Sequence, residues 1–131
     1  MPVRGTRERA QRARREGKAP TTQAGEFVRE EIEHIREGKH GARSTKQAIA
    51  IGLSKARRAG VRLKSPKGVS AETRRQAARD SRKGRSRRSA KPSARRSRAT
   101  LRALEREGHR AASREALSRQ ARRSARRRRR R

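Results

Sequence analysis

Thr22–Lys64, TQAGEFVREEIEHIREGKHGARSTKQAIAIGLSKARRAGVRLK, holds nine of the chain's 14 Leu, Ile, Val and Phe residues. Its apolar positions recur with a helical period. Phe27, Val28, Ile32 and Ile35 fall within a stripe about 140° wide at the ~100° turn of successive helical residues. Ala24 lies in that stripe, and so does Glu31, an acid among apolar neighbours. Ala48, Ile49, Gly52, Leu53, Ala56 and Ala59 make a second stripe of similar width. Ser44-Thr45-Lys46-Gln47 has the form of a capping box, in which the serine oxygen and the glutamine side chain satisfy orphan backbone donors. Arg57 and Arg58 stand at the negative end of this second helix, where cations are stabilised. Gly60 can end it in a left-handed conformation. The alternation Ala48-Ile49-Ala50-Ile51 also fits a strand, but the cap, the basic end and the terminating glycine favour helix. The pattern predicts helices over residues 23–37 and 45–59, paired as an antiparallel or angled hairpin within 21–64. Small residues at 48, 52 and 56 let the partner helix come close, and Val61 and Leu63 fold back to close the pair. Ile51 falls on the polar side, where a homodimer contact or a third helical segment would account for it.

A short element recurs around this core. Arg15-Glu16-Gly17-Lys18, Arg36-Glu37-Gly38-Lys39 and Arg106-Glu107-Gly108-His109 are each followed by hydroxyl residues: Thr21 and Thr22, Ser44 and Thr45, and Ser113. A helix ending at a left-handed glycine, a short loop and a Ser/Thr cap on the next helix is the physical reading. Chance recurrence in an Arg- and Glu-rich chain is the plain alternative. Gly84 offers a further helix stop.

Beyond residue 64 the chain changes character. The 65–131 region carries 26 bases and 5 acids, net +21. Residues 70–83 are good helix formers, yet they offer only alanine on any face and so no core. Residues 93–107 present Leu101 and Leu104, and residues 113–130 present Leu117 with Ala121. These stripes are too narrow to hold a helix alone, and like charges at i,i+4 oppose it. The expected class is therefore all-α: a small helical hairpin with long, largely disordered Arg-rich regions that become helical on binding. In domains, 1–20 reads as a basic N-terminal arm, 21–64 as the hairpin, 65–92 as a basic linker with room for a short helix, and 93–131 as an Arg-rich C-terminal tail. Turns around Pro66 and Pro92 read as linkers.

The whole chain has 43 basic and 12 acidic residues in 131, a formal charge of +31, with 35 arginines against 8 lysines. Duplex DNA carries one charge per ~1.7 Å of axis, so this charge would balance about 16 base pairs. Arginine suits phosphate because its planar guanidinium makes paired hydrogen bonds to the oxygens. There is no cysteine, which excludes disulfides and thiolate metal sites. The longest apolar run, Ala48–Leu53, is too short to cross a bilayer, and the first residues lack the apolar segment of a secretory signal. A soluble, intracellular protein without membrane partners is the expectation.

The block GKHGARSTKQAIAIGLSKARRAG (Gly38–Gly60), with GEFVREEIEHIRE before it, resembles a family of small basic bacterial proteins of unknown function. RATLRALEREGHRAASREALSRQARRSARRR is similar to the basic tails its members carry. In composition alone the tail is also similar to the basic ends of linker-histone-like nucleoid proteins. The resemblance implies a bacterial cytoplasmic protein and brings with it no activity, cofactor or catalytic residue.

The loop Gly38–Thr45 carries two glycines, Lys39, Arg43 and a helix start with Ser44 and Thr45. Exposed N–H groups and the helix dipole there suit a phosphate, while an ordinary helix-connecting turn explains the same residues. No G-x-x-x-x-G-K-[ST] string is present, so it is no nucleotide-binding P-loop. Lys46, Ser54, Lys55, Arg57 and Arg58 lie off the apolar stripe, as a groove-reading face or a solvated one. Arg122, Arg123, Arg126, Arg127, Arg128, Arg129, Arg130 and Arg131 complete the expected phosphate contacts. His34, His40 and His109 read as solvated histidines without a metal site, and Glu30, Glu31, Glu33 and Glu37 as an acidic patch that pairs with bases or keeps that helix off DNA. There is no Trp or Tyr on which bases could stack, which turns the expectation from RNA toward duplex DNA. No nucleophile–base pair or cofactor motif appears, so no enzyme is expected. The expected function is sequence-independent DNA binding of the nucleoid-associated, architectural kind, by phosphate neutralisation in the bacterial nucleoid. RNA or ribosome association is one alternative. Another is an adaptor that docks a partner helix on Phe27, Ile32, Ile49 and Leu53.

Overall fold

The computed structural model describes residues 4–64, 69–85 and 94–129. The expected linkers around Pro66 and Pro92, and the contacts assigned to Arg130 and Arg131, lie outside the described residues. Six α-helices follow one another: α1 Arg4–Arg15, α2 Pro20–Arg36, α3 Thr45–Arg58, α4 Ala71–Arg85, α5 Ala94–Glu105 and α6 Arg114–Arg129. A single 3₁₀ turn, Arg110–Ala112, precedes α6. No strand occurs among the described residues, so the chain is all-α.

Helix ends explain themselves locally. Gly17, Gly38 and Gly60 have φ of 75°, 78° and 99°. Behind each, the following amide reaches back five residues: Lys18 N to Ala13 O at 2.9 Å, Lys39 N to His34 O at 3.0 Å, Val61 N to Ala56 O at 3.0 Å. These are Schellman caps on α1, α2 and α3. The third copy of the recurring element departs from this, since Gly108 has no positive φ. At the starts, Ser44 accepts Gln47 N at 3.1 Å, Ser70 accepts Thr73 N at 3.2 Å and Ser113 accepts Ala116 N at 3.1 Å. Gln47 Oε1 accepts Arg43 N at 2.6 Å, one residue earlier than a strict capping box would have it. Helix α2 begins ahead of the expected caps, because Pro20 occupies its first turn and Ala19 O accepts the Thr22 and Gln23 amides.

The chain divides into two compact units: Met1–Glu30 with Ala50–Lys91, and Glu31–Ile49 with Pro92–Arg131. Helices α2 and α3 each contribute to both units. In the first unit, Ala10, Ala24, Phe27, Ala56 and Val61 form the core, with Leu53 and Leu63 packed against it. Phe27 is 1% exposed, and burying such a ring contributes roughly 1.5–3 kcal/mol. A Cβ at Gly52 would lie 2.6 Å from Val28 Cα, so the two helices meet there backbone to backbone. The N-terminal arm is not a loose appendage, because Thr6, Ala10 and Ala13 of α1 are buried.

Helix α4 corrects the expectation that residues 70–83 have nothing to bury. Ala77 and Asp80 are both buried. Asp80 Oδ2 accepts the Ser54 hydroxyl at 2.7 Å, and Oδ1 accepts Arg58 Nε at 2.8 Å and Gln76 Nε2 at 3.1 Å. Gly84 is a packing residue inside α4 and does not end it. A Cβ there would stand 2.0 Å from Arg57 O.

In the second unit the core is Ile35, Ala42, Ala48, Ala111 and Ala112, with Ile32 against it. Gly41 N donates to Leu104 O at 2.8 Å and Ala42 N to Gly108 O at 3.0 Å. Arg36 Nε donates to Ala112 O at 3.1 Å. The tail was expected to be helical only transiently or on binding, and its described residues form α5 and α6. Backbone bonds to the 38–45 loop and the Ser113 cap support them in place of a broad apolar stripe, and Leu101 stays 44% exposed.

Candidate nucleic-acid interface

Exposed guanidinium groups are the chemistry this surface offers in quantity. In 16 residues α6 carries eight arginines and one glutamate. At 1.5 Å per residue that is a net charge per roughly 3.4 Å, about the spacing of phosphates along one DNA strand. Arg119, Arg122, Arg123 and Arg126 line one shallow groove, as the i, i+3, i+4, i+7 spacing dictates. Arg122 leans on Ser118, donating to its hydroxyl at 3.1 Å. Arg127, Arg128 and Arg129 continue the exposed array.

Much of the backbone in the loop of the second unit is already engaged. The amides of Gly38, Lys39, Gly41 and Ala42 all donate to carbonyls of the chain, and Arg43 N donates to Gln47. Thr45 is buried and its hydroxyl donates to Ala111 O, while Ser44 is occupied as a cap. The exposed side chains that a phosphate would meet here are Lys39, Arg43 and Lys46. Lys39 Nζ lies 3.3 Å from Glu37 and Arg43 Nε 4.0 Å from Glu107, both solvent-exposed pairs of small energetic weight.

On α3 the expected reading face is largely engaged. Arg57 is buried and donates to Lys64 O at 3.3 Å. Ser54 and Arg58 face Asp80, though the Arg58 side chain keeps 44% exposure. Lys55 is half-buried. Arg57 is thus a structural residue, because α4 and the chain after Gly60 cover the side that a lone hairpin would have left to solvent. Of the residues expected to dock a partner helix, Phe27 is buried, and Ile32, Ile49 and Leu53 are half-buried.

The acids of α2 divide between surface and interior, with Glu33 and Glu37 exposed and Glu37 beside Lys39. Glu26 pairs with Arg9 at 2.9 Å, and Glu30 and Glu31 are buried. His34 and His40 are not solvated either. The left-handed turn at Gly38 reverses the chain after α2 and returns His40 to the face that carries Glu31 and His34, one helical turn apart. His40 Nε2 lies 3.3 Å from Glu31 Oε2, and His34 Nδ1 lies 3.9 Å from Glu31 Oε1. The two imidazoles meet edge to face with centroids 6.0 Å apart. One donor atom from each of the three residues falls within 4.8 Å of the others, the set among the described residues with the chemistry to hold a metal ion. His109 is exposed, as expected. The sequence sign of this cluster was Glu31 itself, an acid inside an apolar stripe with a histidine three residues on.

These features define an all-helical, strongly basic chain, and no helix of its described residues is long and apolar enough to cross a membrane. Residues 8–68 match the family of unknown function DUF6496, in agreement with the resemblance carried by the Gly38–Gly60 block. No curated protein and no solved structure matches the chain.

Proposed function

We propose that the protein binds duplex DNA without sequence preference, neutralising phosphates in the manner of a nucleoid-associated, architectural protein of the bacterial cytoplasm. The exposed arginine array of α6, with a charge spacing close to that of a DNA strand, carries this reading. Lys39, Arg43 and Lys46 add exposed cations in the same unit. The absence of Trp and Tyr favours backbone contacts to a duplex over base stacking. If about 10 phosphates are contacted, log affinity for a random-sequence duplex falls with log salt at a slope near −9. A slope of one or two would overturn the proposal, and structured RNA outcompeting duplex at equal phosphate would move the assignment to RNA.

A further inference from the structure

We propose that Glu31, His34 and His40 form a binding site for one divalent transition-metal ion of the Zn²⁺ class. The inference goes beyond nucleic-acid binding and does not depend on it.

Proton placement at His40 is the first support. Its Nδ1 lies 2.9 Å from Gly41 O, and a carbonyl can only accept, so Nδ1 carries the hydrogen. In the neutral ring Nε2 then presents a lone pair, and it faces the Glu31 carboxylate at 3.3 Å. Two lone pairs facing each other repel, and either a second ring proton or a metal ion between them relieves this. The arrangement also repeats the usual support of a metal-ligating histidine, whose second ring nitrogen donates to a backbone carbonyl.

Burial is the second. Glu31 is 1% exposed and His40 is 7% exposed. A buried carboxylate requires a compensating partner. Burial keeps the donor atoms of Glu31 and His40 out of bulk water, where a bound cation interacts with them more strongly.

Geometry is the third. Two ligands at about 2.0–2.1 Å from a tetrahedral ion lie roughly 3.3 Å apart. The His40–Glu31 separation already has that value, and the remaining donors, all within 4.8 Å, need to close by an ångström or so. The donors sit on firm supports. Glu31 and His34 share one face of α2, and His40 is fixed between the Gly38 turn and the bonded amides of Gly41 and Ala42. Two imidazoles and one carboxylate suit Zn²⁺, Co²⁺ or Ni²⁺ and are a poor set for Mg²⁺ or Ca²⁺, which take oxygen ligands. Three protein ligands leave one position for water.

The test uses the full chain after chelator treatment, in buffer free of nucleic acid and phosphate. Calorimetric titration with ZnCl₂ is expected to show one saturable equivalent, with excess Mg²⁺ failing to compete. The three histidines supply an internal control by NMR of their ring C–H signals. Zn²⁺ shifts those of His34 and His40 and leaves His109, which is exposed and outside the cluster, unchanged. CoCl₂ is expected to give the visible bands of a low-coordinate site. Outer-shell changes alone weaken metal sites about 10–100-fold, so His34→Gln and Glu31→Gln are expected to lose at least that much. The half-buried His34 position makes the first the gentler variant. Absence of a saturable equivalent, equal shifts at His109, or unchanged affinity in a folded His34→Gln protein would overturn the site. The cluster would then be an imidazolium–carboxylate pair.

Discussion

Replacing Asp80 tests how a helix without an apolar stripe is held in place. Its carboxylate is 1% exposed and takes three donors: Ser54 at 2.7 Å, Arg58 at 2.8 Å and Gln76 at 3.1 Å. A hydrogen bond to a charged group contributes about 1.5–3 kcal/mol. The Arg58 side chain is 44% exposed, which brings that pair down to about 0.5–1 kcal/mol. The Gln76 bond spans i,i+4 within α4 and adds about 0.2–0.5 kcal/mol. With the Ser54 bond near 2, Asp80→Ala costs about 3 kcal/mol. Asp80→Asn keeps one acceptor but turns an amide N–H toward a donor, so it costs about 1.5–2 kcal/mol. Small domains are stable by only about 5–15 kcal/mol, so the alanine variant loses a large share. Urea denaturation followed by circular dichroism at fixed salt measures it, and the thermal midpoint falls by more than about 10 °C. Ser54→Ala in both backgrounds completes a double-mutant cycle, whose coupling isolates the Ser54–Asp80 bond. An Asp80→Ala protein within about 0.5 kcal/mol of the parent, the range of an ordinary surface change, would refute the account.

Glycine substitutions in two helices have opposite expected signs. Gly25→Ala in α2 meets nothing within 4 Å and gains about 0.8–1 kcal/mol of helix propensity. Gly84→Ala gains the same propensity but must push α4 off Arg57 O, 2.0 Å from the new Cβ, so it destabilises by about 1 kcal/mol net. Denaturant midpoints of the two variants check both signs. For DNA, replacing Arg119, Arg122, Arg123 and Arg126 together by Gln removes the groove-lining cations and is expected to flatten the salt slope by about 3–4 units with no change in sequence preference, read by fluorescence titration.

Helices α2 and α3 were legible because each carries its own apolar period and its own left-handed glycine, and α3 its own serine cap. Those are properties of neighbours in sequence. The repeat around Gly108 misled because a glycine in an Arg-Glu-Gly string serves equally as a helix stop or as a site of close approach. Here Gly108 gives its carbonyl to Ala42. Gly41 and Gly84 are demanded by backbone packed against them, which no local pattern announces. Asp80 lies in a charged segment whose local pattern gives no sign of burial. Arg57 looked like a phosphate contact because its position lies off the stripe of a two-helix pair, and a third helix in the same unit reverses that.

The order of residues alone determined the charge, the all-helical class, the C-terminal ends of α2 and α3 and the abundance of arginine. Each follows from composition or from intervals of three to five residues. Tertiary structure alone decided which polar groups go inside. Burial of Asp80, Arg57, Glu31 and His40 depends on partners up to tens of residues away. A charged side chain leaves water only where a distant donor, acceptor or cation compensates it.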